Sequence, residues 1–150
     1  MTTDILSELF QRDLLKLKEE IGLYSDEAKL WVIDKEIKNS AGNLALHLVG
    51  NLKHFIGSIL GSTGYVRDRE AEFADKNIPR DEIIKSVDET NDIINSVINK
   101  MSDADLKKDY PLVEVLKNKD KMTTEFFLIH LYGHLNYHLG QVNYHRRLLA

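Results

Sequence analysis

Apolar positions recur every three or four residues in four stretches of this chain, and each stretch predicts an amphipathic helix. The first follows Thr3, a good N-cap, and carries Ile5, Leu6, Leu9, Phe10, Leu14, Leu17 and Ile21 before Gly22 stops it. The second is capped by Asn39 or Ser40 and includes Leu44, Leu48, Leu52, Phe55, Ile56 and Ile59, ending at Gly61. Its apolar residues spread round the helix, which predicts burial on several sides. The third runs from about Pro79, well suited to a first turn, through Ile83, Val87, Thr90, Ile94, Val97 and Met101, with a charged opposite side. The fourth opens with Thr123-Thr124-Glu125 and continues with Phe127, Leu131, His134, His138, Gln141, His145 and Leu148 along one side.

Four such helices must bury their apolar stripes against one another, so the expected fold class is all-α, a four-helix bundle. One domain spanning 1–150 is expected, since the length matches the commonest domain size and no repeat or linker interrupts the pattern. Two connections stand out. Gly61 to Pro79 is long for a bundle and holds Tyr65, Arg67, Arg69, Glu70 and Glu72; loops of that length are often functional or capping. Tyr110-Pro111 lies before a possible short extended piece at Val113-Glu114-Val115, which has no convincing strand partner.

Composition then narrows the classes of function. Apolar residues make up 43% and charged residues 29%, ordinary for a soluble globular chain. No apolar run exceeds pieces such as Leu44 to Val49, whereas a spanning helix needs roughly 20 mostly apolar residues, so no membrane role is expected. Met1-Thr2-Thr3-Asp4 lacks the basic start of a secretory signal, and a cytoplasmic location is expected. There is no cysteine, so any thiol chemistry needs a thiol brought by a substrate. The net charge of −4 disfavours nucleic acid as a partner, because phosphate binding rests on clustered Lys and Arg. Arg146-Arg147 and the stretch from Lys117 to Lys121 read as solvated surface.

The chemical information is concentrated in histidine. Four of the six histidines fall between His130 and His145, and the other two, His47 and His54, lie on the second helix. At about 100° per residue, His130, His134, His138, Gln141 and His145 project within an arc of about 80°. His47, Asn51 and His54 form a second polar stripe in an otherwise apolar helix. Each stripe would be costly against a dry core, and the cost disappears if the two face each other across a shared site. A divalent ion is the economical occupant. Histidines at i and i+4 place two imidazoles one turn apart on one side, and a third from a facing helix leaves positions for water or substrate, as in catalytic sites. Spacing alone does not choose between His130 with His134 and His134 with His138.

The segment His130-Leu131-Tyr132-Gly133-His134-Leu135-Asn136-Tyr137-His138-Leu139-Gly140-Gln141 resembles the final-helix signature of the DinB/YfiT-like superfamily, commonly H-x3-H-x3-H-R-G-Q. Ala45-Leu46-His47-Leu48-Val49-Gly50-Asn51 resembles its helix-two histidine segment. The name denotes DNA-damage-inducible metal-binding bundles, not the DNA polymerase that shares it. The resemblance implies a four-helix bundle whose metal ligands are His47, His134 and His138. It implies a divalent metal ion as cofactor, with zinc and nickel leading among ions that suit imidazoles. It implies hydrolase or thiol-dependent S-transferase chemistry on a small-molecule substrate with a low-molecular-weight thiol cosubstrate, and a homodimer. Relatives without an assigned reaction make a non-catalytic metal-holding stress or binding module the alternative. Leu139 stands where the signature commonly has Arg, which leaves the ligands intact.

Other conspicuous residues receive plainer readings. His130 reads as a packed histidine at the bundle end, His54 as structural or pocket-lining because two turns put it roughly 10 Å from His47, and His145 as a surface residue. Gln141 and Asn51 are candidates to orient ligands or a bound water. Tyr65, Arg67 and Arg69 could reach an anionic substrate, although a solvated loop is the favoured reading. None of the Asp and Glu residues stands out as a general base.

Overall fold

In the computed structural model, residues 2–112 and 115–150 are described. The expected extended piece at Val113-Glu114-Val115 therefore lies in part outside the described residues. Helix α1 spans Thr2–Gly22 and buries Leu6, Phe10, Leu14, Leu17 and Ile21, the stripe its periodicity predicts. Thr3 lies inside the first turn and not at the cap. Each fully buried side chain of this type contributes about 1.5–3 kcal/mol by leaving water.

A 3-10 turn over Glu27–Trp31, capped by Asp26, leads to α2, Ala41–Leu52. Ser40 is its N-cap and accepts the Asn43 N–H at 3.2 Å. Trp31 lies flat against α2 at Gly42, where a β-carbon would come within 2.8 Å of the ring. Helix α2 is buried almost all round, as the spread of its apolar residues predicts. It continues as a π-helical stretch over Lys53–Ser58, and the last turns reach Gly61. The wider turn changes the helical phase between His47 and His54.

The long connection to Pro79 contains a helix that the hydrophobic pattern does not reveal: α3, Arg69–Ala74, N-capped by Asp68. Helix α4, Arg80–Ile98, starts after Pro79 and buries Ile83, Val87, Ile94, Val97 and Ile98. It ends before Met101, because Ser102 and Asp105 form a capping box that starts a new short helix, α5, Asp103–Lys107. Helix α6, Thr124–Leu149, is N-capped by Thr123.

Among the described residues the chain is all-helical, with only isolated bridges between Asp109 and Thr123 and between Leu116 and Lys119. No described helix is long and apolar enough to cross a membrane. Helix α1 packs against α4 and α6, while α2 packs against α3, α4 and α6. The face between α2 and α6 carries the histidines.

His145 departs from the sequence expectation. It is 4% exposed, donates from Nε2 to the Val32 carbonyl at 2.8 Å, and accepts the Tyr24 hydroxyl at Nδ1 at 2.6 Å. Neighbouring Arg146 and Arg147 suggest a surface, but each residue turns a helix by about 100° and they project elsewhere. Arg146 meets Glu20 at 2.5 Å, so it too is tied to α1 and not freely solvated.

Candidate metal centre

His47 projects from the middle of α2, and His134 and His138 from successive turns of α6. Their imidazoles meet. Nε2 of His134 lies 3.2 Å from Nε2 of His47 and 3.1 Å from Nε2 of His138. One ring nitrogen from each lies within 4.8 Å of the others, and the three rings are mutually edge-on at 80°, 88° and 89°. Three nitrogens at about 2.1 Å from one ion in tetrahedral array would stand about 3.4 Å apart. The two spacings to His134 are close to that value, and the His47–His138 pair lies within 4.8 Å.

The outer nitrogens decide what the inner ones can do. His47 Nδ1–H donates to Glu72 Oε1 at 3.0 Å, and His138 Nδ1–H donates to Gln141 Oε1 at 2.7 Å. In neutral imidazole the opposite nitrogen then carries a lone pair. Both of these lone pairs face His134 Nε2, at 3.2 and 3.1 Å, and a neutral His134 has one proton to offer at most one of them, so at least one contact sets lone pair against lone pair unless a cation lies between them. His134 Nδ1 is buried without a hydrogen-bond partner, as is Asn51 Oδ1 one turn beyond His47. The donor set thus fits a divalent ion.

Burial sets the protonation state in the same direction. His134 is held down at about 4, first by burial and then by the charges of His138, His47, His130 and Arg67. His138 is also lowered by burial, with the Gln141 hydrogen bond opposing. Neutral imidazole is the metal-binding form.

Glu72 is the site residue that sequence reasoning missed. It is 6% exposed and sits on α3 against α2. Burial pushes its carboxyl up, but hydrogen bonds from Arg67 and His47 and the Arg67 charge outweigh this, and the net shift is downward. Arg67 donates Nε–H to Oε2 at 2.8 Å and Nη2–H to Oε1 at 2.9 Å, a bidentate clamp. The favoured reading of Arg67 as part of a solvated loop is therefore corrected: its side chain is 12% exposed and its donors face Glu72. Asn43 holds this arrangement by donating Nδ2–H to the carbonyls of Glu72 and Asp75, each at 2.9 Å. Phe73 lies on the His47 ring, centroids 4.8 Å apart. The available signal was local: Asp68 before Arg69-Glu70-Ala71-Glu72-Phe73-Ala74 is a cap followed by good helix formers.

The other candidates fall outside the trio. His54 packs edge-on to Phe55 at 4.8 Å, and His130 is exposed, stacked on Phe127 at 5.8 Å, not packed in the bundle end. Arg69 is exposed over Phe73 at 5.2 Å, and Tyr65 is half-buried beneath Lys53. Of the two candidates to orient a ligand or a water, Gln141 is bonded to His138 Nδ1, and Asn51 Oδ1 has no partner.

Fold and site together define an all-helical protein with a three-histidine group able to hold a metal ion. The family model described as protein of unknown function (DUF1572) matches residues 7–150, and the chain belongs to that family. No curated protein matches the chain.

Proposed function

We propose that this protein is a DinB/YfiT-like four-helix bundle that holds one divalent ion, zinc or nickel, through His47, His134 and His138, and uses it as a hydrolase or thiol-dependent S-transferase. The observation that carries the reading is the convergence of three imidazole Nε2 atoms whose outer nitrogens donate to Glu72 and Gln141 at two of the three positions. A bound ion would supply Lewis acidity, lowering the pKa of a water or thiol in its open positions.

The chain's own charges favour this use. Three neutral histidines leave the positive charge of the ion uncompensated, and the one carboxylate at the site is matched by Arg67. An anionic nucleophile or leaving group is thereby favoured. Since there is no cysteine, the thiol of an S-transfer comes from a small cosubstrate. A groove of about 980 Å³ between residues 34–39 and the end of α6 has Gln141, Leu44, Tyr144 and Leu148 in its wall. The groove touches the site through Gln141, which is bonded to the outer nitrogen of His138, and a small-molecule substrate is proposed to approach from that side.

One observation favours the second reading, a metal-holding module without turnover: Glu72 and Arg67 are bound to each other instead of being offered to a substrate. The deciding experiment incubates the zinc- and nickel-loaded proteins with a panel of low-molecular-weight thiols, electrophiles and hydrolysable esters and amides. Metal-dependent turnover that disappears in His134→Ala supports the enzyme; fully loaded protein inert to the whole panel supports the module.

A further inference from the structure

An imidazole has two neutral tautomers, and only one leaves the metal-facing nitrogen of His47 free. The choice is made on the far side of the ring. Nδ1 of His47 faces Glu72 Oε1 at 3.0 Å, and Arg67 Nη2 lies 3.4 Å from the same nitrogen. A guanidinium has no acceptor to offer, and a carboxylate gripped at both oxygens by that guanidinium has no proton to give. We infer that Glu72 is a positioning residue that selects the Nε2-free tautomer of His47, and that Arg67 enforces the choice by holding the carboxylate as an acceptor. The inference rests on the metal-binding reading of the site and adds what prepares one ligand before an ion arrives.

The rest of the segment is built to keep Glu72 in place. Its backbone carbonyl is held by Asn43 of α2. The α2 surface beneath its carboxylate is Gly50, where any β-carbon would collide with the Glu72 side chain. Asp68 caps the helix that carries it through the Ala71 N–H at 3.0 Å. The other two ligands have no comparable device. Gln141, the acceptor for His138, is exposed and its amide can turn to present either a donor or an acceptor. His134 has no partner at Nδ1. So the ligand on α2 is pre-set, while the pair on α6 is free to adjust to the ion.

This asymmetry gives a test that a merely structural role would not pass. Glu72→Gln keeps the shape but has one carbonyl oxygen and one NH2. Arg67 will take the oxygen, turning the NH2 toward His47 Nδ1, so the proton must move to Nε2 and the ring points N–H at the metal position. Adding Arg67→Met frees the amide oxygen to accept from Nδ1–H again. The readouts are the His47 tautomer, from ring-nitrogen NMR shifts of metal-free protein, and zinc affinity by chelator competition. Glu72→Gln is expected to invert the tautomer and lose on the order of 10–100-fold in affinity, and the Glu72→Gln/Arg67→Met protein is expected to recover most of both. An unchanged tautomer in Glu72→Gln, or no recovery in the double variant, overturns the inference. If Glu72→Gln does not fold, the Glu72→Ala/Arg67→Met protein answers instead: mixed tautomers support the assignment, and a purely wild-type tautomer sinks it. Wild-type protein that binds no zinc refutes the metal reading alone, because the tautomer of the metal-free ring still reports on Glu72.

Discussion

Gly50 of α2 and Glu72 of α3 are in such close approach that a β-carbon at residue 50 would fall inside the Glu72 carboxylate. Two effects of Gly50→Ala therefore compete. Alanine favours a helix interior by about 1 kcal/mol over glycine. Displacing Glu72 breaks a buried carboxylate's bonds to Arg67 and His47, and breaking a buried ion pair costs about 3–5 kcal/mol. The second effect wins unless the α3 segment lifts away whole. Gly50→Ala is expected to lower stability in urea unfolding by a few kcal/mol and to weaken metal binding, whereas Gly133→Ala, with open space around its α-carbon, should do neither. Equal stability of the two variants would show that Glu72 moves aside at little cost.

The six histidines should separate into three groups when each is replaced by alanine. Loss of His47, His134 or His138 removes a third of the protein donors and should strip most of the metal under competition. His54 and His130 should keep it. His145→Ala should keep the metal but lose stability, by about 1–3 kcal/mol for each buried partner left unsatisfied, the Tyr24 hydroxyl and the Val32 carbonyl. Metal analysis beside thermal melts of all six proteins decides this. Metal lost from His130→Ala and kept by His138→Ala would put the site one turn out of register.

The parts of this fold legible in the sequence are those that periodicity reports. Leu6, Phe10, Leu14 and Leu17 announce α1, and two polar stripes in apolar helices announce that the histidines of α2 face those of α6. What periodicity does not report is anything held by polar bonds alone. Helix α3 is six residues long and its one buried charged residue, Glu72, is buried because Arg67 and Asn43 satisfy it, a long-range arrangement with no hydrophobic trace. The burial of His145 is hidden from the sequence for the same reason: it depends on Tyr24 and Val32, more than a hundred residues away. Family resemblance supplied the choice of His138 over His130, which spacing had left open.

Acid should weaken the chain through Asp13, on the α1 face toward α6. Asp13 is 1% exposed; Arg12 reaches its two oxygens at 2.8 and 3.0 Å, and the Tyr132 hydroxyl donates to it. Burial pushes its carboxyl up, but hydrogen bonds from Arg12, Tyr132 and Asn136 outweigh this and hold it well below the usual carboxylate range. With the folded pKa below the unfolded value of about 3.9, the stabilisation is complete above that value and is lost as pH falls through it toward the folded one. Asp13→Asn is expected to cost on the order of 1–3 kcal/mol at pH 7 and progressively less as the pH is taken below 4. Urea titrations at pH 7 and pH 3 measure the difference. A penalty that is the same at both would assign the role of Asp13 to packing.

If His47, His134 and His138 hold an ion, metal binding and folding should be coupled, because the three histidines come from two helices, α2 and α6, that are brought together only in the folded chain. An ion that binds the native state alone stabilises it by about 2.7 kcal/mol when its free concentration is a hundred times its dissociation constant. For a domain of this size 1 kcal/mol moves the midpoint by roughly 2–4 °C, so adding a strong chelator to loaded protein should lower the melting temperature by about 5–10 °C. His134→Ala should melt at the same temperature with and without chelator, since it has no site to empty. Restoring zinc to the stripped wild type should restore the higher midpoint. A midpoint that does not move after metal removal has been verified by elemental analysis would mean that the histidines bind too weakly to matter to the fold. The convergence of their nitrogens would then need another occupant.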